Sequence, residues 1–362
     1  MRKQIFAYIK DHKNIVWTGV AVLLAVVSIG AVLAYSRELT LGDIFRFFQA
    51  SDPFWMTFAV LCSVGYIFFE ALALQVLLRH TGQDSRFRHS LTYSAADIYC
   101  AAITPSATGG QPVCAWFMVR DGIPIGVVSA ILLAFLIMHT LATVLIGLVS
   151  LAWRPGVFLG FSIWSRIFIV LGYVTLTALG IFFLFLTKLD KWIFRTGCRL
   201  IDWLTKKKLI KRTDYWKNWY KKIIDDYSSS FRIMYGKGGG IAWLAVFLLN
   251  VFQRMAQQSV SSLVFLAGGG DRAGVPTVFV SQVFTAIGSM CVPVPGGSGV
   301  ADFLLLDGLM EIMDKQSAVQ LELLSRGLSF YVCVLTSLVI VLAAYFLRRQ
   351  KYSSSPVRKT TE

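Results

Sequence analysis

Two short runs rich in glycine and proline hold the residues best suited to binding a ligand. The first reads Ile103-Thr-Pro-Ser-Ala-Thr-Gly-Gly-Gln-Pro112, the second Val292-Pro-Val-Pro-Gly-Gly-Ser-Gly-Val-Ala-Asp302. Each interrupts an otherwise apolar segment. Breaks of this kind free backbone N–H and C=O groups, which in an apolar medium need a polar partner or a water-filled cavity. A helix restarting at Pro295, Gly296, Gly297, Ser298 and Gly299 presents open N–H groups, and oriented amides with the helix dipole attract an anion such as a phosphate. Thr104, Pro105, Ser106, Thr108, Gly109 and Gly110, followed by Gln111, offer the same device with the Ser106 and Thr108 hydroxyls added. For either run the alternative is a tight packing turn without a ligand.

A second constellation lies between residues 241 and 267. Asn250, Gln253, Arg254, Gln257 and Gln258 recur at i, i+3, i+4, i+7 and i+8, which is one face of a helix. An arginine at the bilayer centre costs about 2.5–3.5 kcal/mol on insertion scales, so it faces protein or a cavity. The face is read as a polar cavity wall with Arg254 as an anion partner, or else as interhelical hydrogen-bond glue. Arg326 follows Glu322 by four residues, which fits either a surface ion pair or a second counter-charge. Glu70, Asp97, His139 and Asp302 also sit in apolar context. Each either pairs with an arginine or serves as a proton site, with Asp97 and Asp302 as candidates for proton coupling.

The elements that must position these groups are membrane helices. Hydrophobic residues make up 56% of the 362-residue chain and charged residues 15%, against about a quarter charged in soluble domains, and mean hydropathy is +0.63. Apolar runs near the roughly 20 residues that cross the hydrocarbon core cover 15–35, 54–78, 123–152, 157–187, 241–267 and 328–347. They lack a period of two, which argues against a β-barrel. The basic start leads into an apolar run longer than a signal-peptide core, so 15–35 is kept as a span.

Lys and Arg near membrane ends favour the cytoplasm. Arg2, Lys3, Lys10 and Lys13 place the N-terminus inside, Arg79, Arg86 and Arg88 place that loop inside, and Arg348, Arg349, Lys351, Arg358 and Lys359 do the same for the tail. Residues 188–237 hold 14 Lys and Arg against five Asp, out of a net charge of +15, and belong in the cytoplasm. These anchors force a parity result. Segment 91–120 starts and finishes inside, and segment 276–320 starts and finishes outside, so neither is a simple crossing. The expected fold is an all-α polytopic membrane protein of about six full spans plus two Gly/Pro-broken re-entrant segments in an inverted repeat. Such repeats with broken helices mark the central sites of transporters. Residues 1–352 form this one domain, with 188–237 as an insert and 353–362 as a tail. Within the insert Trp192, Trp203, Tyr215, Trp216, Trp219 and Tyr220 alternate with the basic residues. An amphipathic helix lying on an anionic leaflet accounts for both residue types. No nucleic-acid recognition fold fits in so few residues.

Several chemistries are set aside. Cys62, Cys100, Cys114, Cys198, Cys291 and Cys333 are scattered without a C-x-x-C spacing, so neither zinc nor a disulfide framework is indicated. There is no P-loop, no H-E-x-x-H and no G-x-S-x-G. Gly268-Gly-Gly-Asp-Arg-Ala273 follows a membrane span rather than a strand and is not a dinucleotide site. No cofactor is expected.

T-P-S-A-T-G-G-Q-P at 104–112, Asp121-Gly-Ile-Pro124, P-V-P-G-G-S-G-V-A-D at 293–302 and Ser325-Arg-Gly-Leu-Ser-Phe-Tyr331 together resemble the lysylphosphatidylglycerol synthase/flippase transmembrane-domain family, over residues 10–350. That family includes the membrane half of bacterial multiple peptide resistance factors. The resemblance implies lipid handling, with aminoacylated phosphatidylglycerol moved between leaflets. Full-length members add a soluble domain that transfers lysine from lysyl-tRNA. This sequence ends at Glu362 soon after the last span, so a membrane half without transferase activity is expected. Relatives often carry Glu after the glycines and Arg one turn later, where Gln111 and Ala115 stand here with Arg120 beyond. The expectation is a translocase for an anionic, aminoacylated or polyprenyl-linked lipid in the cell membrane. The alternatives are phosphatidylglycerol lysyl transfer, or an accessory subunit that recruits a separate lipid-modifying enzyme.

Overall fold

The computed structural model describes residues 49–104, 109–207, 213–292 and 299–353. The expected span 15–35, the break residues Pro105, Ser106, Thr108, Pro295, Gly296, Gly297 and Ser298, and the tail from 354 lie outside the described residues. In order, the helices are α1 Pro53–His80, α2 Phe87–Ile103, α3 Gly110–Arg120, α4 Ile125–Trp153, α5 Pro155–Gly160 and α6 Ile163–Leu186. There follow α7 Asp190–Lys206, α8 Thr213–Tyr235, α9 Gly239–Ala267, α10 Val275–Ser289, α11 Val300–Leu309, α12 Lys315–Arg326 and α13 Cys333–Ser353. No strand occurs among the described residues.

Among the described residues five helical runs are long and apolar enough to cross a membrane: α1, α4, α6, α9 and the continuous run Lys315–Ala344. The shortest, α6, has 24 residues and reaches about 36 Å at about 1.5 Å per residue, more than the roughly 30 Å hydrocarbon core. The chain is an all-α polytopic membrane protein.

Two expected spans change their limits. Segment 157–187 is not one helix. Pro155 opens the short α5, and Ser162 then adopts an extended conformation that caps α6, its Oγ accepting from Ser165 N. Asp307 Oδ2 accepts from Ser162 N at 2.8 Å, which fixes the corner. The last span starts well before residue 328. Asp314 caps α12 by accepting from Gln316 N and Ser317 N at 3.0 and 3.1 Å. The Ser317 hydroxyl, donating to its Oδ1 at 2.7 Å, followed by these backbone bonds, holds its exposed carboxyl below the usual carboxylate range. A π turn at Gly327–Val332 carries α12 into α13. The charged residues of α12 had hidden its continuity with the span.

α2 and α3 are too short to cross separately, about 26 and 17 Å at about 1.5 Å per residue, and they pack side by side as a hairpin around the first glycine-rich break. α10 and α11 form a second hairpin around the other break. The two hairpins enter from opposite ends because α1 and α9 are antiparallel. Asp52 N donates to Ala267 O at 2.9 Å at one end of that pair, and at the other a Cβ on Gly239, the first residue of α9, would lie 3.6 Å from Nε2 of His80, the last residue of α1. The pairing pattern is two-fold. α1 packs on α2 as α9 packs on α10, α3 on α4 as α11 on α12, and α4 on α9 and α10 as the π turn and α13 do on α1 and α2. This is the order span, broken hairpin, span, used twice and inverted.

The insert differs from a lone surface helix. α7 and α8 form a hairpin of their own, with Tyr220 OH donating to Ile193 O at 2.9 Å and Ser228 Oγ to Asp190 Oδ2 at 3.1 Å, while Tyr227 OH donates to Leu186 O at the end of α6. Tyr227, Phe231 and Met234 then bury into a core shared with Ile123, Val127 and Ile131.

Around the second hairpin the helices approach so closely that a Cβ at Gly172 on α6 would collide with the Ile287 carbonyl on α10. Gly172→Val is therefore expected to lower the unfolding midpoint in detergent by an amount equivalent to about 1–3 kcal/mol of overpacking. Gly156→Ala, which meets nothing within 4 Å, is expected to stay within about 0.5 kcal/mol of wild type. Equal midpoints for the two variants would contradict the close α6–α10 contact.

Candidate functional site

The antiparallel crossing of α1 and α9 gathers most of the buried polar groups. α1 supplies Tyr66 and Glu70, one turn apart. α9 supplies Asn250 and Gln253, both 0% exposed, with Arg254 at 6% and Gln258 at 3%. The expected polar face of α9 thus points inward. At its centre Gln253 Nε2 donates to Glu70 Oε2 at 2.7 Å. Arg254 Nη1 donates to Gln257 Oε1 at 3.0 Å, and Nη2 donates to Tyr66 OH at 3.3 Å and lies 3.4 Å from His139 Nδ1 on α4. The guanidinium carbon also sits 5.4 Å from the Tyr66 ring centroid, a geometry that adds cation–π attraction. Phe69 stacks on Phe252 beside this cluster.

The first hairpin connects to the crossing through Asp97 on α2. Gln111 Nε2, in the first turn of α3, donates to Asp97 Oδ2 at 2.7 Å. Gly110 makes that possible, since a Cβ there would collide with the Asp97 carboxyl and carbonyl. The start of α3, where the helix dipole is positive, therefore faces an acidic side chain from the chain itself. Thr104 bridges the break, its Oγ1 donating to Cys100 O at 2.7 Å and accepting from Gly109 N at 2.9 Å. The side chain of Asp97 lies beside Glu70, so the polar groups of α1, α2, α3, α4 and α9 gather in one region.

The second break has its own charged set. Gly299 takes φ +81°, a conformation that glycine adopts without a Cβ penalty, and its N–H donates to Asp302 Oδ2 at 2.8 Å. Arg326, the last residue of α12, forms an ion pair with Asp302 and lies 3.6 Å from Glu322 Oε1. The expected pairing of Arg326 with Glu322 is present, and Asp302 joins it from the neighbouring hairpin. The π turn begins at the next residue, and such turns recur at functional sites.

Of the residues singled out from sequence, Asp97, Thr104, Gly109, Gly110 and Gln111 come together at the first break, and Gly299, Asp302 and Arg326 at the second. Asn250, Arg254 and Gln257 line the crossing. Pro105, Ser106, Thr108 and 295–298 lie outside the described residues. Tyr66 was missed. The signal that would have found it is the i, i+4 spacing Tyr66–Glu70 within an apolar span, since a buried acid there needs polar company. Among the described residues no group of three or more His, Cys, Asp or Glu side chains is placed to hold a metal ion.

A family model described as the lysylphosphatidylglycerol synthase TM region matches residues 16–337. A UPF0104 membrane protein of Archaeoglobus fulgidus is 26% identical over 289 residues, which cover 78% of this chain and 83% of that protein. The family match takes in both broken hairpins, the α1–α9 crossing and the Arg326 cluster. The chain accordingly belongs to the lysylphosphatidylglycerol synthase transmembrane-region family and is a multi-pass membrane protein linked to lipid modification or translocation.

Proposed function

We propose that the chain translocates a phosphate-bearing lipid, whether anionic, aminoacylated or polyprenyl-linked, between the leaflets of the cytoplasmic membrane. One observation carries this reading. Two Gly-broken hairpins of opposite entry flank an antiparallel crossing that holds a buried arginine, and each break brings a restarting helix against a carboxyl group. The headgroup phosphate is drawn to Arg254 and Arg326 while the acyl tails remain in lipid. At the second break it replaces Asp302 as the anion facing the Gly299 N–H and the Arg326 guanidinium. The two repeats then rock about the α1–α9 crossing and open the site to one leaflet or the other. The sequence contains no nucleotide-binding motif, so movement is downhill or coupled to an ion through Asp97 or Asp302.

The α7–α8 hairpin fits the anionic cytoplasmic leaflet. Trp192, Trp203, Tyr215 and Trp219 are exposed beside Arg199, Lys206, Lys207, Lys221 and Lys222, and Lys207 Nζ lies 4.2 Å from the Trp203 ring centroid. Exposed aromatics sit at headgroup depth, and each basic residue near an anionic surface contributes about 1 kcal/mol. Both termini are assigned to the cytoplasmic side with this hairpin.

Leaflet exchange of headgroup-labelled lipid by purified protein in proteoliposomes tests the central claim. Arg254→Ala removes a charged contact of about 1.5–3 kcal/mol and is expected to slow exchange about tenfold or more. Gly110→Val is expected to do the same by prising α3 from Asp97. Wild-type protein that exchanges neither phosphatidylglycerol, its lysyl form nor a polyprenyl phosphate would sink the reading. A second assay follows lipid binding. Asp302→Asn removes the internal competitor for Arg326 and is expected to tighten binding of the labelled lipid about tenfold, or about 1.4 kcal/mol; weaker binding would place Asp302 among the ligand's own contacts. Replacing Lys206, Lys207, Lys221 and Lys222 with Gln is expected to slow exchange in vesicles rich in anionic lipid and to leave exchange in zwitterionic vesicles unchanged. An equal loss in both vesicle types would argue against leaflet docking.

A further inference from the structure

Glu70 and Asp97 are buried acids on neighbouring helices, exposed 3% and 8%. Each has one oxygen served by an amide, Glu70 Oε2 by Gln253 and Asp97 Oδ2 by Gln111. Glu70 Oε1 is buried and meets no N–H or hydroxyl donor among the described residues. The carboxyl that lies beside Glu70 is that of Asp97 on α2. Two carboxyl groups hydrogen-bond only with a proton between them, because an ionised carboxylate has acceptors alone.

Among the described residues the surrounding groups give the pair no direct cation. Facing it are Tyr66 on α1, Cys100 on α2, Cys114 on α3, Arg254 on α9 and Cys333 at the start of α13, with His139 on α4 beside Arg254. Arg254 is the permanent cation of this set, and it directs its guanidinium to Tyr66, Gln257 and His139 rather than into an ion pair with either acid. Two adjacent carboxylates in an apolar bundle, with a single arginine one layer away, leave a net buried negative charge, which a low-dielectric interior strongly disfavours.

We propose that Glu70 and Asp97 form a proton-binding pair, holding one exchangeable proton between them, and that this proton keeps the first hairpin docked on α1. Its loss leaves two like charges on α1 and α2, and their repulsion pushes α2 outward. α3 moves with α2 because Gln111 and Gly110 tie its start to Asp97. The step is a plain dissociation: the shared O–H bond breaks, the proton leaves to water, and no redox partner takes part. As a coupling device the pair rests on the translocase reading, in which it would be the ion site. As a proton site it stands without that reading.

Infrared difference spectroscopy of the full chain in lipid nanodiscs, recorded across a pH titration, separates these two levels. Wild type is expected to show a protonated-carboxyl C=O band that disappears on alkalinisation and shifts in deuterated buffer. Glu70→Gln and Asp97→Asn are each expected to abolish it, since either amide supplies the donor that the remaining acid lacks. Asp302→Asn is expected to retain it. A wild type without the band at any pH, or a band lost only in Asp302→Asn, would overturn the proposal. The wild-type and Asp302→Asn spectra decide the matter even where an amide variant of the pair does not fold. In proteoliposomes an imposed pH gradient is expected to change lipid exchange by wild type and not by Glu70→Gln. A band that behaves as expected alongside gradient-insensitive exchange would overturn the coupling, and exchange that follows sodium in place of pH would overturn the proton as the ligand.

Discussion

Between two leaflets of hydrocarbon a polar atom has no water to turn to, and the α1–α9 crossing is where this chain meets that constraint. Glu70, Gln253 and Arg254 are long polar side chains on spans that the rest of the sequence keeps apolar. Their burial holds only because each finds its partner on another helix, Glu70 on α9 and Arg254 on α1 and α4. Each unsatisfied group in hydrocarbon costs several kcal/mol, so the antiparallel pairing of these helices is fixed far more tightly than apolar packing between lipid-like surfaces would fix it. The opposite entry of the two hairpins follows directly from that pairing.

The hairpins solve the same problem at their tips. A helix that stops in an apolar layer leaves open carbonyls behind it and open N–H groups ahead. At the first break Thr104 takes one of each, a carbonyl from Cys100 and an N–H from Gly109. At the second, Asp302 takes the Gly299 N–H and joins Arg326 to the same spot. Both restarting helices therefore face an acid of the chain at the end where an anion is most favoured. In the proposed translocation an external phosphate at either place competes with a group already there.

The outer surface obeys the same solvent rule in reverse. Ile163, Trp164, Val174, Phe182 and Phe185 leave α6 exposed, as a helix against lipid tails should be, while its small residues Gly172 and Gly180 turn inward to let α10 and α4 approach. The α7 and α8 hairpin changes character along its length. Basic and aromatic residues dominate its free end, and Tyr227, Phe231 and Met234 anchor the other end in the core at α4.

Helix content, the long spans and the positions of both breaks were legible in the sequence, because each depends on local runs: apolar length for a span, Gly and Pro for an interruption. The polar face of α9 was legible too, since 3.6-residue periodicity alone puts Asn250, Gln253, Arg254, Gln257 and Gln258 together. Less was visible at the corner of α5 and α6 and at the end of α12. There the deciding contacts come from distant residues, Asp307 to Ser162 and Asp302 to Arg326, and a charged stretch gives no sign that its charges are matched elsewhere. The carboxyl pair of Glu70 and Asp97 belonged wholly to the tertiary structure. Each acid reads alone in the sequence, and only the packing of α1 against α2 places the two together.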